Sequence, residues 1–235
     1  VSSSEWAKMF SPATIAPLAV MLGVILMMSG KNARRKEIAS IVIGFGVLFI
    51  GIESMSSSVE PLRDSEAFRS MFVTLGTNPL LGIFAGAFVT AIIQSSSASQ
   101  GILLSLAASG LVPFNAAVYI IMGQNIGTCV TALISGIGAT KTAKCVGYMH
   151  LMFNITGTIV FSIVAIVYFT VLNPAMGSEI ITQTQISAIH TIFNIGTTLM
   201  VIPLSNIIIK IAKKINHVSA LEPMERHGEP PELVP

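Results

Sequence analysis

The sequence predicts an all-α integral membrane protein, a bundle of transmembrane helices. Of its 235 residues, 52% are hydrophobic and 10% are charged, whereas an ordinary soluble domain has about 25% charged residues. The charges fall in short clusters between long apolar stretches, as a chain inserted in a bilayer requires. No Asp, Glu, Lys or Arg occurs from residue 70 to residue 140. The formal net charge of +2 is too small to indicate nucleic-acid binding.

Two apolar stretches, residues 12–29 and 38–55, predict the first pair of membrane-spanning helices. A basic turn, residues 31–37, separates them, and such short basic loops lie on the cytoplasmic side. We therefore expect residues 1–37 to form an outer lead-in, a first transmembrane helix and a cytoplasmic loop. Residues 56–78 then mix charged with apolar side chains, which predicts an amphipathic helix on the outer surface.

A polar run from Gln94 to Ser99 interrupts the next apolar stretch. Residues 80–93 make about 21 Å of helix and residues 101–109 still less, both too short for a bilayer core of about 30 Å. Two half-length helices joined by polar residues predict a re-entrant hairpin whose tip lies near the bilayer centre.

The remainder of the chain predicts three further crossings, over residues 114–137, 145–172 and 185–209. Within the first of these, the glycine-bracketed segment from Gly123 to Thr128 predicts a break in the helix. Lysines follow the first and third crossings, so both ends belong on the cytoplasmic side. Residues 38–214 are thus one membrane unit, and residues 215–235 are a Pro-rich cytoplasmic linker.

The polar run can bind an anion or a cation. Serine hydroxyls donate and accept hydrogen bonds, and so does the amide of Gln94. A half-helix beginning near Ser97 directs backbone N–H groups toward an anion, while carbonyls at the end of the preceding half-helix can hold sodium. Asn125 and Thr128 add oxygen ligands of the kind that hard cations prefer. Because this region has no Lys or Arg, a bound phosphate-like dianion would need co-bound cations to cancel its charge.

One sequence pattern, H-x-x-F-N-I, occurs twice. It places His150 and Asn154 four residues apart on one helical face, and His190 and Asn194 likewise. Two interpretations stay open: hydrogen bonding between packed helices, or lining of a transport path.

Three ordered motifs make the chain resemble the type II sodium-dependent phosphate cotransporters and their bacterial relatives. The motifs are Gln94 to Ser97, then Asn125 to Thr128, then His150 to Gly157. The resemblance implies two inverted repeats, each with a Q-S-S-S hairpin, of which this chain carries the second. It also implies a missing first repeat and a possible cytoplasmic regulatory helical domain. Where the family has a small residue, this chain has Gln124. The implied phosphate and sodium ligands are Gln94, Ser95, Ser96, Ser97, Asn125 and Thr128, with sodium near Gln94, Ser97, Asn125 and Thr128.

The expected function is sodium-coupled symport of inorganic phosphate into the cell, by alternating access around the hairpin, in the plasma or bacterial inner membrane. Sodium is the coupling ion and no other cofactor is expected. The alternatives are an ion channel, another sodium-coupled anion transporter, or a membrane scaffold whose small residues let helices pack closely. An enzyme is disfavoured because the sequence has no G-x-S-x-G and no H-E-x-x-H motif.

Overall fold

The computed structural model describes residues 12–29 and 32–216, and this part of the chain is helical almost throughout. Short 3-10 turns follow α2 and α9, and a π turn follows α7. Within the described residues there is no strand, so the prediction of an all-α fold is confirmed. The helices are α1 (Pro12–Ser29), α2 (Ala33–Val59), α3 (Glu66–Thr77), α4 (Pro79–Ile93), α5 (Ser96–Ala108), α6 (Phe114–Ser135), α7 (Lys141–Val167), α8 (Pro174–Ser178), α9 (Gln183–Val201) and α10 (Ser205–Ile215).

Four helical stretches are long and apolar enough to cross a membrane, and α1 is a shorter apolar helix. The chain is therefore a multi-pass membrane protein, as predicted. The division at residues 38 and 214 stays a prediction, and most of the expected linker, residues 217–235, lies outside the described residues. The four stretches are Ala33–Leu62, Phe114–Ser135, Lys141–Leu172 and Gln183–Ile215.

The predicted amphipathic helix is present but covers only Glu66–Thr77, so its predicted bounds, residues 56–78, are wrong. Helix α2 continues to Val59, a 3-10 turn follows, and α3 begins after Ser65, whose hydroxyl accepts a hydrogen bond from the Phe68 N–H at 3.3 Å. The chain then bends by 112° between α3 and α4. Asn78 caps α4 by accepting from the Leu81 N–H at 3.2 Å. Because capping residues end one helix and begin the next, this region forms separate helices, and the Phe72 side chain of α3 is buried in the core.

Helices α4 and α5 form a hairpin that turns at Gln94 and Ser95. The Thr90 Oγ1 hydroxyl donates to Ser99 Oγ at 2.8 Å. In a continuous helix, residues nine positions apart would be about 13 Å apart along the axis, so the chain reverses its direction here. The depth of this hairpin in a bilayer stays a prediction.

The first arm of the hairpin, α4, packs against α6 through glycines on both helices. A Cβ atom at Gly86 would overlap the backbone carbonyl of Ile120, and one at Gly123 would overlap that of Ile83. Gly127 meets Ala87 in the same way. Helix α6 is continuous from Phe114 to Ser135, so the predicted break at residues 123–128 is wrong. These glycines let two helical backbones approach closely.

Helix α6 is the centre of the bundle and supplies much of the buried core. On the side away from α4, α7 and α9 cover it, and their contact includes the Phe161 and Phe193 rings, whose centroids are 5.2 Å apart. At one end of α6, the Phe114 N–H donates to the Glu179 carbonyl at 2.8 Å. These contacts hold α7 and α9 against α6, the helix that carries the predicted ligands Asn125 and Thr128.

Candidate ion-binding cavity

The hairpin tip has an unusual backbone conformation. Among the described residues, Gln94 is the only non-glycine with a positive φ, 55°. Such a left-handed conformation costs roughly 1–2 kcal/mol in a non-glycine residue, and strain of this kind often lies at functional sites. Ser95 then caps α5, because its hydroxyl accepts from the Ala98 N–H at 3.2 Å. The two residues together end one half-helix and start the next.

A polar cavity of about 320 Å³ lies where the beginning of α5 meets α6, α7 and α9. It brings together predicted residues from four separate places in the sequence. Gln94, Ser95 and Ser97 are not among its lining residues, and Gln94 and Ser97 are exposed at the tip. The lining consists of Ser96, Asn125, Thr128, His150, Phe153, Asn154, His190 and Asn194.

Three asparagines orient their amides in the same way. Asn125 Nδ2 donates to the Ile121 carbonyl at 2.8 Å, Asn154 Nδ2 to that of His150 at 3.1 Å, and Asn194 Nδ2 to that of His190 at 2.8 Å. Within the described chain their Oδ1 atoms accept no hydrogen bond. The cavity is therefore bordered by neutral oxygen acceptors, which are the ligands of a hard cation such as sodium.

Donors for an anion are also present. The first N–H groups of α5 have no partner within the helix, and Ser96, which lines the cavity, lies in this first turn. No Lys, Arg, Asp or Glu is among the described residues that line the cavity. An anion here would depend on hydroxyls, backbone N–H groups and the imidazoles of His150 and His190, and a dianion would need cations beside it.

The structure has features that fit both interpretations of the His–Asn pattern, lining of a path and hydrogen bonding between helices. All four side chains border the cavity. Asn154 also joins two helices, because its Nδ2 lies 3.2 Å from the Sγ of Cys129 on α6. Within the described residues, the second pair, His190 and Asn194, makes no hydrogen bond to another helix.

The sequence analysis missed a buried polar network behind the hairpin tip. Gln124 Nε2 donates to Ser99 Oγ at 2.9 Å, and Ser99 also pairs with Thr90. Thr90, Ser99 and Gln124 are 1%, 2% and 4% exposed, and Gln124 Oε1 has no partner within the described structure. Gln124 thus joins α6 to the second arm and does not line the cavity. Its place immediately before the N-I-G-T segment, between Gly123 and Gly127, was the available signal. Its partner Ser99 could be found only from the hairpin's geometry.

Comparisons with known proteins agree with the resemblance described above. The family model for the Na+/Pi-cotransporter matches residues 3–57 and 54–177. The chain is 27% identical over 192 residues to YqeW of Bacillus subtilis (strain 168), covering 80% of this chain and 60% of that protein. It is 24% identical over 207 residues to YjbB of Escherichia coli (strain K12), described as a phosphate export protein, covering 88% of this chain and 37% of YjbB.

A third similarity is shorter but closer. The chain is 38% identical over 96 residues to the sodium-dependent phosphate transport protein 2A of Rattus norvegicus, covering 40% of this chain and 15% of that protein. The chain therefore spans 60% or less of the length of each of these relatives. No solved structure matches.

Proposed function

Because the chain belongs to the Na+/Pi-cotransporter family, whose members are transporters, we propose that it forms the second repeat of a transporter that moves inorganic phosphate with sodium ions. Transport is inward, across the plasma or bacterial inner membrane, with the carboxyl-terminal tail in the cytoplasm. The protein alternates access to the cavity from the two sides around the hairpin that carries Gln94 to Ser97.

The observation that carries this proposal is the composition of the cavity. Asn125, Asn154 and Asn194, whose amide oxygens accept no hydrogen bond in the described chain, line the same cavity as Ser96 in the first turn of α5. Sodium takes the oxygens, and phosphate takes the hydroxyl and N–H donors. Since the lining residues carry no carboxylate and no Lys or Arg, each ion stabilises the other, and sodium raises the affinity for phosphate by the same factor by which phosphate raises the affinity for sodium.

Three of the predicted ligands lie outside the cavity, and two of them, Gln94 and Ser97, are assigned to the missing half. Both are exposed at the hairpin tip, and the relatives are longer than this chain. An oppositely oriented first repeat supplies a second hairpin, and its tip meets these two residues to complete the sodium and phosphate sites. A cytoplasmic helical domain beyond the linker regulates the transporter in the same proposal.

The test uses the full-length protein in lipid vesicles and measures uptake of labelled phosphate driven by an inward sodium gradient. Replacing Asn125 by Ala should raise the sodium concentration for half-maximal uptake about tenfold, the effect of losing about 1.4 kcal/mol of binding. Ser96→Ala should weaken phosphate uptake. The control is Ser40→Ala, whose exposed hydroxyl bonds within α2 at 2.9 Å and should leave uptake unchanged.

Three outcomes would contradict parts of this proposal. Unchanged sodium dependence in the Asn125 variant, with normal protein yield, would overturn the sodium assignment. Equal uptake with potassium in place of sodium would overturn the coupling. Unitary currents in the absence of phosphate would favour the channel alternative.

A second candidate function is phosphate export, because YjbB, which is described as an export protein, is similar over 88% of this chain. The same vesicles distinguish the two. The vesicles are loaded with phosphate and given outward and inward sodium gradients in turn. An inward symporter accumulates phosphate in them only with the inward gradient. Net efflux that persists against an inward sodium gradient would favour the exporter.

A further inference from the structure

Helix α9 has three distinct faces after its first turn. One is buried against α6 and α7 and includes Ile186, Phe193 and Thr197. A second is exposed and entirely apolar, with Ile192 61%, Ile195 57% and Leu199 66% exposed. A helix with only these two faces would be an ordinary lipid-facing helix of a membrane bundle. The third face is different.

The third face is exposed and polar. It carries Ser187, Thr191 and Thr198, spaced four and seven residues apart, so that they lie on one side of the helix. Each hydroxyl donates to the carbonyl four residues earlier: Ser187 at 3.1 Å, Thr191 at 2.9 Å and Thr198 at 2.7 Å. Each hydroxyl oxygen can still accept a further hydrogen bond, which water supplies and hydrocarbon does not.

This polar face is continuous with the cavity. His190 and Asn194, which border the cavity, lie three and four residues from the exposed hydroxyls and on the same side of α9. The face begins at Gln183, whose Nε2 donates to the Leu104 carbonyl on the second arm of the hairpin at 3.2 Å. From Gln183 to Thr198 it extends for about 22 Å along the helix, so it passes the cavity in both directions.

We propose that the polar face of α9, formed by Ser187, Thr191 and Thr198, lines the water-filled route by which small hydrated ions reach and leave the cavity. Ser187 lies on the Gln183 side of the cavity and Thr198 on the α10 side, as a path open alternately to the two membrane surfaces requires. This inference rests on the proposed function. It adds residues that no sequence motif identified, and it assigns the neighbouring apolar face to lipid.

The experiment measures the reaction of single introduced cysteines with a charged, membrane-impermeant methanethiosulfonate reagent, in the full-length protein in vesicles. The three variants are Ser187→Cys, Thr191→Cys and Thr198→Cys, and the matched controls are Ile192→Cys, Ile195→Cys and Leu199→Cys on the apolar face of the same helix. The chain's own Cys129 and Cys145 are both buried, and the unsubstituted protein gives their background.

We expect the polar-face cysteines to react at least about tenfold faster than the controls, because the reagent needs water and a thiolate, and hydrocarbon excludes both. Sodium with phosphate should slow the reaction at Thr191→Cys, next to the cavity. Equal rates on the two faces would overturn the proposal. Phosphate uptake by the unlabelled variants is measured separately. If the polar face reacted faster but no phosphate uptake were found, the aqueous route would stand and the proposed function would be overturned.

Discussion

The two arms of the hairpin are fixed by different kinds of contact. The first arm, α4, lies against α6 through glycines, with backbone directly on backbone at Gly86 and Gly123. The second arm, α5, is held by side chains. Leu103 and Ala107 are buried in the core, and Ser99 pairs with Gln124. Ser105 and Ser109, at the end of this arm, each donate at 3.2 Å to a carbonyl of α2, that of Ile52 and that of Ser56.

This difference indicates which arm can move. Close packing is lost steeply with distance, and a displaced glycine interface leaves a void that no side chain fills. A hydroxyl can exchange one acceptor for another at little cost, because Ser105 and Ser109 already bond a second carbonyl within their own helix. In the transporter proposed above, we therefore expect α4 to stay with α6 and the movement of the hairpin to lie in α5.

The largest expected effect is on the first arm. Gly86→Ala places a Cβ atom on the Ile120 carbonyl, and overpacking against a rigid backbone should lower the free energy of unfolding by about 3 kcal/mol. The measurement is the thermal unfolding midpoint of the purified protein. Gly44→Ala, in α2, is the control, since its Cβ would meet nothing within 4 Å and should be neutral or slightly stabilising. Equal effects at the two positions would show that α4 is not fixed by close packing.

An intermediate effect is expected where the second arm meets α6. Ser99→Ala leaves the Thr90 hydroxyl and the Gln124 amide buried without their partner, which should cost about 2 kcal/mol. Gln124→Leu should cost less, because it also removes the unpartnered Oε1. The measurement compares how much each variant lowers the free energy of unfolding relative to the unsubstituted protein. A larger loss for Gln124→Leu than for Ser99→Ala would contradict a hydrogen-bonded second arm.

The smallest expected effect is at the turn between the arms. Gln94→Gly relieves the left-handed backbone and should stabilise the fold by about 1 kcal/mol relative to Gln94→Ala, because glycine adopts this conformation without a Cβ penalty. Both variants lose the amide and should lose phosphate uptake equally. If Gln94→Gly kept normal uptake, the side chain would have no role as a ligand and only the backbone conformation would matter.

Local signals in the sequence predicted the all-α fold and most of the residues that border the cavity, but not how these residues come together. Apolar lengths and the polar run predicted the spans and the turn at Gln94 because these are properties of adjacent residues. The glycines at 123 and 127 have two physical uses, a break or a close approach, and the choice depends on Gly86 in another helix. The role of Gln124 likewise depends on Ser99, twenty-five residues away.

The sequence predicted the residues that line the cavity only as separate groups, without placing them together. Asn125 was expected at a broken helix, and His190 and Asn194 were left between packing and a transport path. These residues come together because of the way α7 and α9 pack on α6. The spacing of residues along one helix does not predict how separate helices pack. The polar face of α9 was missed because Ser and Thr at helical spacing are also common in packed membrane helices.

The absence of carboxylate, Lys and Arg from the described cavity lining has an electrical consequence. A membrane potential of 100 mV acts with about 2.3 kcal/mol on each elementary charge that crosses it. In the proposed transporter, the lining of the empty cavity presents only the imidazoles of His150 and His190 as ionisable groups to that field, so the return of the empty cavity should produce little charge movement. The loaded form carries the bound ions, and two sodium ions with one phosphate dianion are neutral, whereas a third sodium makes the loaded step respond to the potential.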